Sequence, residues 1–490
     1  MMKLSRILGN LFLPILALGL SGCASAQDNC PTAASYLVQI QDADTFRVEA
    51  DFSSPASQLD LFFFPIEERP QGQAESIRNL QGFSASGDVV QLDYIGEGAW
   101  KPVGESGVSR VIYEVRADHD EVDWGIGGPG KDEVATRFDN SFFFAGHAFF
   151  LIDYDAPACP ITVQFDVPED WHITSPWKLE DQTITAANPW NLAQNAFVIG
   201  PAEPARAELP GLTVDMLASS DAKVISDGVS ELLKIVPQTY IEYFGSSPED
   251  KYSVFLFTDT MSDGGAFQNS FAMRIATPIS PADKITWSHT LGHEIMHLWI
   301  GAGAIHGADP DEIYWFTEGF TDYLTIKLMY QAGLMDEAML KQRIANILRR
   351  YEIAKRRSPG ISLADAGTNK GENWELVYGG GSLVALLLDA TVSAESPDTF
   401  RDMMRDLYKA SETAYTLTSL LERMNKATFG QASEIVRWVD SHPQASEIRE
   451  RLLPFGVDMT TFRFDEAYVE FTPCKEVSCV PGFLAGEHTE

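Results

Sequence analysis

Thr290-Leu291-Gly292-His293-Glu294-Ile295-Met296-His297-Leu298-Trp299 is the stretch on which the reading of this 490-residue chain turns. His293 and His297 are four apart, so on a helix they stand on one face, one turn from each other. Two neutral imidazoles at that separation both reach one tetrahedral zinc ion. Glu294 then sits beside the ion, where a carboxylate takes a proton from water. The surrounding Leu, Ile, Met and Trp mark a largely buried helix, which argues against two histidines that are merely surface polar groups.

Zinc needs a third protein ligand. Glu318 is the candidate, in Trp315-Phe316-Thr317-Glu318-Gly319-Phe320-Thr321-Asp322-Tyr323. Twenty residues lie between it and His297, enough for a loop and a returning helix. Asp322, four residues on, shares its face and is placed to accept the second ring N–H of a ligand histidine. The rivals are His289, one turn before His293, and Glu312. A straight helix does not easily present three successive turns to one ion, which disfavours His289.

Working outward, residues 31 to 200 carry β signals. Val111, Tyr113 and Val115 alternate with Arg110, Ile112, Glu114 and Arg116, and Ile161, Val163, Phe165 and Val167 with Thr162, Gln164 and Asp166; with frequent Gly and Pro breaks, this predicts antiparallel strands in a sandwich. Gly200-Pro201-Ala202-Glu203-Pro204, continuing to Pro210-Gly211, reads as a linker. Tyr252–Phe257 is a strand candidate. Helical periodicity then covers about 283–301, 316–333, 336–357, 379–394 and 398–409, with Asp398 as an N-cap.

The composition is ordinary and globular, 45% apolar and 22% charged, with 70 Asp and Glu against 36 Lys and Arg, a formal charge of −34. A chain this acidic is repelled by phosphate backbones and anionic headgroups, so nucleic acid is excluded as a partner. Lys341, Arg343, Arg349, Arg350, Lys355, Arg356 and Arg357 form one basic cluster, read as a solvated helix face, with a site for an acidic partner as the sharper alternative. Gly125–Gly130 matches G-x-G-x-x-G but contains Pro129 and precedes no helical pattern, so a loop is expected rather than a nucleotide site.

Residues 1–22 have basic Lys3 and Arg6 and a short, broken apolar run, the pattern of a signal peptide. Leu20-Ser21-Gly22-Cys23 resembles the bacterial lipobox, making Cys23 the expected lipid attachment; cleavage near Ala24-Ser25-Ala26, giving a soluble secreted or periplasmic protein, is the alternative. Loss of residues 1–22 removes two basic residues and no acidic ones, leaving a net charge of −36. Cys30, Cys159, Cys474 and Cys479 remain, an even set for an oxidising compartment. Of three connectivities, Cys30–Cys159 with Cys474–Cys479 is favoured; free buried thiols are the alternative.

His293-Glu294-x-x-His297-x-Trp299 with Trp315-x-x-Glu318-Gly319-Phe320 resembles the gluzincin metallopeptidases. It is similar to aminopeptidase N and, more closely, to the glycyl aminopeptidase family. Asp139–Gly146, Thr321-Asp322-Tyr323, Ser362–Asp365 and Tyr378–Leu386 add to the likeness, which covers roughly residues 35–455. The resemblance implies that Tyr378 donates to the developing oxyanion, opposite Glu294. It also implies that Gly264, Gly265 and Gln268 belong to a substrate-binding segment. The acidic residue that would hold a free α-amine is missing there, with Phe267 or Gln268 in its place, which leaves exopeptidase against endopeptidase open. The family's C-terminal PDZ module is expected to be lacking.

The expected fold is multidomain α+β: an N-terminal antiparallel β-sandwich, a thermolysin-like zinc catalytic domain and a C-terminal helical domain. The expected boundaries are 1–22 signal peptide, 23–203 β domain, 204–330 catalytic domain, 331–455 helical domain and 456–490 tail. The expected function is peptide-bond hydrolysis with one zinc ion on His293, His297 and Glu318, Glu294 as base and Tyr378 as oxyanion donor, on peptide or protein substrates. The alternative is a non-catalytic lipoprotein that binds peptides or envelope partners on a peptidase fold. The expected location is the bacterial cell envelope, with the lipid anchor as the only membrane contact.

Overall fold

A computed structural model describes residues 30–104, 106–117, 135–259, 263–278, 283–301, 303–461, 467–472 and 480–486. The expected signal peptide 1–22, the expected lipid attachment Cys23, the glycine run 125–130, Cys474 and Cys479 lie outside the described residues. The described chain groups into two compact units: Cys23–Leu233 with Glu249–Asp283, and Lys234–Pro248 with Lys284–Glu490.

The first unit is β-rich. Its eight-stranded sheet centres on Ala34–Ile40, Thr45–Ala56 and Val108–Arg116. The alternation read from the sequence is realised there: Val111, Tyr113 and Val115 are buried with Phe46, Val48 and Ala50, while Arg110, Ile112, Glu114 and Arg116 on the other face are less buried. One pair in this sheet, Ala34–Ile40 with Ile161–Asp166, is parallel. A disulfide joins Cys30 to Cys159 just ahead of those two strands, with a Cα–Cα distance of 5.7 Å. It closes a separation of 129 residues and so fixes where the parallel strands begin.

A four-stranded sheet packs on the first. Its strand Ser141–Ala145 is buried throughout. Phe142 and Phe144 enter the first core with Phe46, Phe149, Phe150 and Phe197. Phe143 and Ala145 enter a second core with Leu217, Phe255, Phe257 and Ala272 of a five-stranded sheet. A strand covered on both faces reads as a continuous apolar run rather than an alternating one, which accounts for Phe142-Phe143-Phe144. The two sheets of the expected sandwich thus pack together, and the five-stranded sheet, from the span expected for the catalytic domain, adds a third layer.

The expected linker is corrected here. Ala205–Leu209 pairs antiparallel with Leu212–Ala218, and Pro210-Gly211, with Gly211 at φ +78°, is the tight turn between them.

The second unit is helical: Pro310–Gln331, Glu337–Arg357, Leu363–Gly367, Gly381–Ser393, Thr399–Lys409, Leu417–Ala427, Gln431–Asp440 and Ala445–Leu452, followed by the hairpin Val457–Thr461 and Ala467–Phe471. Leu376–Ser393 is apolar enough to cross a membrane, with a mean hydropathy of 1.5, yet 89% of it is buried. A helix apolar all round and enclosed by others is a core helix. Asp398 stands at an N-cap position, but its carboxylate pairs with Arg401 rather than with the helix backbone. Within the core, Asp389 accepts from Lys327 at 2.6 Å and Ser393 at 2.7 Å. Tyr323 donates to the same carboxylate, so this buried charge is fully partnered.

Candidate metal centre

The helix Asp283–Met296 carries His293, and its last turn tightens at the C-terminal end. His297, Leu298 and Trp299 donate their backbone N–H groups to Glu294, Ile295 and Met296, three residues back. His297 therefore lies just beyond the regular helix, where a helix running on to 301 was expected. The turn still leaves its ring facing His293, with the Nε2 atoms 3.1 Å apart. Its Nδ1–H donates to the Ile300 carbonyl at 2.8 Å, which leaves Nε2 as the free donor atom for a metal. Behind this helix, the Tyr240 hydroxyl donates to the Gly292 carbonyl at 3.1 Å, and the Trp299 indole N–H donates to the Ser246 carbonyl at 2.8 Å.

Glu318 comes from Pro310–Gln331, a helix capped by Asp309 and opened by Pro310. Its Oε2 lies 3.2 Å from His293 Nε2 and 3.5 Å from His297 Nε2. Zinc bonds of about 2.0–2.1 Å at tetrahedral angles place ligand atoms about 3.3–3.4 Å apart, so the three donors fit one zinc ion. Among the described residues, His293, His297 and Glu318 form the one group with such proximity. Burial opposes charge on Glu318, but the Lys370 ammonium, His297 and His293 outweigh it and hold the carboxyl well below its usual range. Burial likewise opposes charge on His293, yet Asp322, Glu318 and Glu294 push it up to about 10. The carboxylates and the histidines thus attract each other, and Glu318 is held ionised, the form in which a carboxylate binds a metal.

Asp322 lies behind the donors. Its Oδ1 is 3.7 Å from His293 Nδ1 and accepts from His289 Nε2 at 2.7 Å. His289 therefore serves Asp322 rather than the metal position, and Glu312 is exposed at the start of its helix. Glu294 Oε2 stands 4.0 Å from His297 Nε2 and is partly open to solvent.

Tyr378 sits on a π-helical turn, Leu376–Gly380, a form frequent at functional sites. Its ring stacks on His293 at 5.8 Å and on Trp374 at 4.3 Å, with the Arg350 guanidinium 4.7 Å from its centre. Burial, then the Glu318 and Glu294 carboxylates, raise the phenol well above its usual value, so its proton stays in place. The approach depends on two glycines. A Cβ on Gly319 would lie 2.4 Å from Gly381 Cα, and one on Gly381 would lie 1.8 Å from the Trp315 carbonyl oxygen. Bare backbones let the helices Pro310–Gln331 and Gly381–Ser393 touch, and that contact brings the Tyr378 turn beside Glu318.

Gly264 and Gly265 belong to Asp263–Ala266, one of the two edge strands of the five-stranded sheet among the described residues. Phe267 is buried in the second apolar core, and the Gln268 side-chain Oε1 accepts from the Asn191 side-chain amide at 3.0 Å.

Sequence reasoning missed Lys370 and singled out no role for Arg350. Lys370, Trp374 and Tyr378 recur every four residues, a signal that was available. Arg350 was counted in the basic cluster, and Lys341, Arg349 and Lys355 do behave as flank groups paired with Glu337 and Glu470, Asn346, and Glu352. Arg350 instead turns inward, donating to Glu375 at 2.8 Å and lying 3.9 Å from Asp322.

Residues 35–196 match the Peptidase M61 N-terminal domain. No curated protein sequence matches the chain. Among solved structures, an aminopeptidase N family protein from Idiomarina loihiensis is similar at 17% identity and a TM-score of 0.66, over 87% of this chain and 79% of that one. An M1 zinc metallopeptidase variant from Deinococcus radiodurans, bound to a Tyr-Ser-Ala substrate, is similar at 16% identity and a TM-score of 0.54, over 84% of this chain and 94% of that one. The unsubstituted Deinococcus radiodurans enzyme gives 16% identity and a TM-score of 0.53, over 84% and 92%. The chain thus carries a Peptidase M61 N-terminal domain and the fold of a gluzincin, aminopeptidase-like zinc metallopeptidase.

Proposed function

We propose that the chain hydrolyses peptide bonds with one zinc ion held by His293, His297 and Glu318. The observation that carries this reading is the mutual spacing of the three donor atoms, 3.1 to 3.5 Å, with Glu294 beside them. Zinc bound there would polarise the scissile carbonyl and make water nucleophilic near neutral pH. Glu294 accepts the proton of the attacking water and returns one to the leaving amine. Tyr378, which keeps its proton, donates to the oxygen on which negative charge develops. Asp322 orients His293 and holds the tautomer whose Nε2 is free for the metal.

The Deinococcus relative's peptide ligand supports a peptide substrate class. We assign Gly264 and Gly265, on an edge strand, to the substrate-binding segment. The Gln268 side-chain Oε1 accepts from Asn191, and a neutral amide cannot balance an ammonium, so strict recognition of a free N-terminus is not built into that segment. Cys23 serves as the lipid attachment of an envelope protein; the Cys30–Cys159 disulfide supports an oxidising compartment. Cys474–Cys479 is the remaining pair we assign there.

The deciding experiment compares wild type with Glu294→Gln on a peptide library whose members have free or blocked N-termini, with zinc measured on both proteins. The expected result is equal zinc content and a loss of turnover of about 10³-fold or more. Equal turnover would sink the mechanism. No turnover by wild type, with zinc bound, would favour the non-catalytic peptide-binding reading. For the anchor, Cys23→Ser should move the protein out of the membrane fraction.

A further inference from the structure

Glu318 has two oxygens, and they face different partners. Oε2 looks toward His293 and His297, while Oε1 accepts from Lys370. Lys370 is buried, as is Glu318. The lysine ammonium is enclosed by three rings: Tyr314 at 4.5 Å, Trp374 at 5.6 Å and Tyr378 at 5.7 Å. Cation–π attraction to desolvated rings keeps such an ammonium in place. The turn that carries it, between Leu363–Gly367 and Leu376–Gly380, is itself pinned. The Asn369 carbonyl accepts from the Asn373 backbone and side-chain amides at 3.1 Å, and Ser358 donates to the Asn373 side chain at 2.6 Å.

We propose that Lys370 is a positioning residue that makes Glu318 a one-oxygen ligand, reserving Oε1 for its ammonium and leaving Oε2 to the metal. The inference rests on the zinc-peptidase reading and deepens it. A carboxylate free at both oxygens can clasp a cation with both and fill an extra coordination position. A fixed positive charge on one oxygen opposes that, because taking Oε1 to the metal would strip a buried ammonium of its counter-ion. The coordination number stays low, and a position remains open for water or substrate, as a catalytic zinc site requires.

Cobalt(II) in place of zinc tests this without reference to turnover, since its visible absorption is strong in four-coordinate sites and weak in higher ones. In Lys370→Met, the absorption per bound cobalt should fall by about twofold or more, with the circular dichroism of the wild type retained. An undiminished spectrum in folded, cobalt-loaded Lys370→Met overturns the proposal. X-ray absorption on the zinc-loaded wild type needs no variant: one carboxylate oxygen on zinc supports the proposal, and a chelating carboxylate overturns it. Failure of the wild type to bind either metal would instead overturn the peptidase reading on which the inference rests.

Discussion

Two buried histidines, one in each unit, set the terms of this protein. His147 lies in the β-rich unit against Phe62 and Phe267, with ring centroids 4.7 and 6.1 Å away. Burial there lowers its pKa to about 4, although the Ala193 carbonyl pulls the other way. His293 lies in the helical unit among Asp322, Glu318 and Glu294, and these carboxylates overcome burial and raise it to about 10. The same side chain, equally withdrawn from water, becomes a neutral filler in one place and a seat for positive charge in the other. The difference teaches that burial alone marks no functional site; the counter-charges brought into the same space do.

The most forceful way to break the comparison is to remove the group proposed to act on the reacting oxygen. Tyr378→Phe should lower kcat by about 10²–10³-fold with zinc content unchanged, measured by steady-state kinetics and metal analysis. An unaltered kcat would remove the tyrosine from the mechanism. In the β-rich unit the equivalent lever is covalent. Cys30→Ser should cost roughly 2–5 kcal/mol in unfolding free energy, read by denaturant titration under non-reducing conditions. A wild-type midpoint would mean that the parallel strands hold their start without the bridge.

Asp322→Asn keeps the shape and removes the charge that His293 and His289 share. Zinc affinity, measured by competition with a chelator, should weaken by about 10–100-fold. The gentlest test concerns His147. Its pKa in the folded state, about 4, lies below the 6.5 of an unfolded histidine, so the unfolded chain binds the proton more readily. The stabilisation is complete above pH 6.5 and is lost as the pH falls toward 4, by about 1.4 kcal/mol per pH unit. His147→Asn should flatten that part of the stability profile, and an unchanged slope would place its origin elsewhere.

Much of the candidate metal centre was legible because its residues stand at helical spacing. His293 and His297 stand one turn apart, as do Glu318 and Asp322, so periodicity alone put each pair on one face, with Glu294 next to the first. The strands were legible wherever one face meets water, as at Val111–Val115. Where both faces are covered, as in Ser141–Ala145, alternation vanishes, and the strand does not show which two layers it lies between. Pro210-Gly211 looked like a linker because the same two residues suit a hairpin turn and an open chain; only the pairing of Ala205 with Met216 separates the two. Lys370 and Arg350 stayed hidden for a related reason. A cation's partner is chosen by tertiary approach, and a basic residue looks the same in sequence whether it faces water or a buried carboxylate.

That approach hangs on the contact of Gly319 with Gly381. At 2.4 Å there is no room for even one methyl group, so any larger residue at 319 must wedge the two helices apart. Tyr378 would retreat from Glu318 with its turn, and a misplacement of about 1 Å at a reacting centre costs on the order of 10²-fold in rate. The precision of the centre is therefore heritable through positions that touch neither metal nor peptide. A sequence drifting at 319 or 381 would fall silent with every ligand and every acid–base group still in its text.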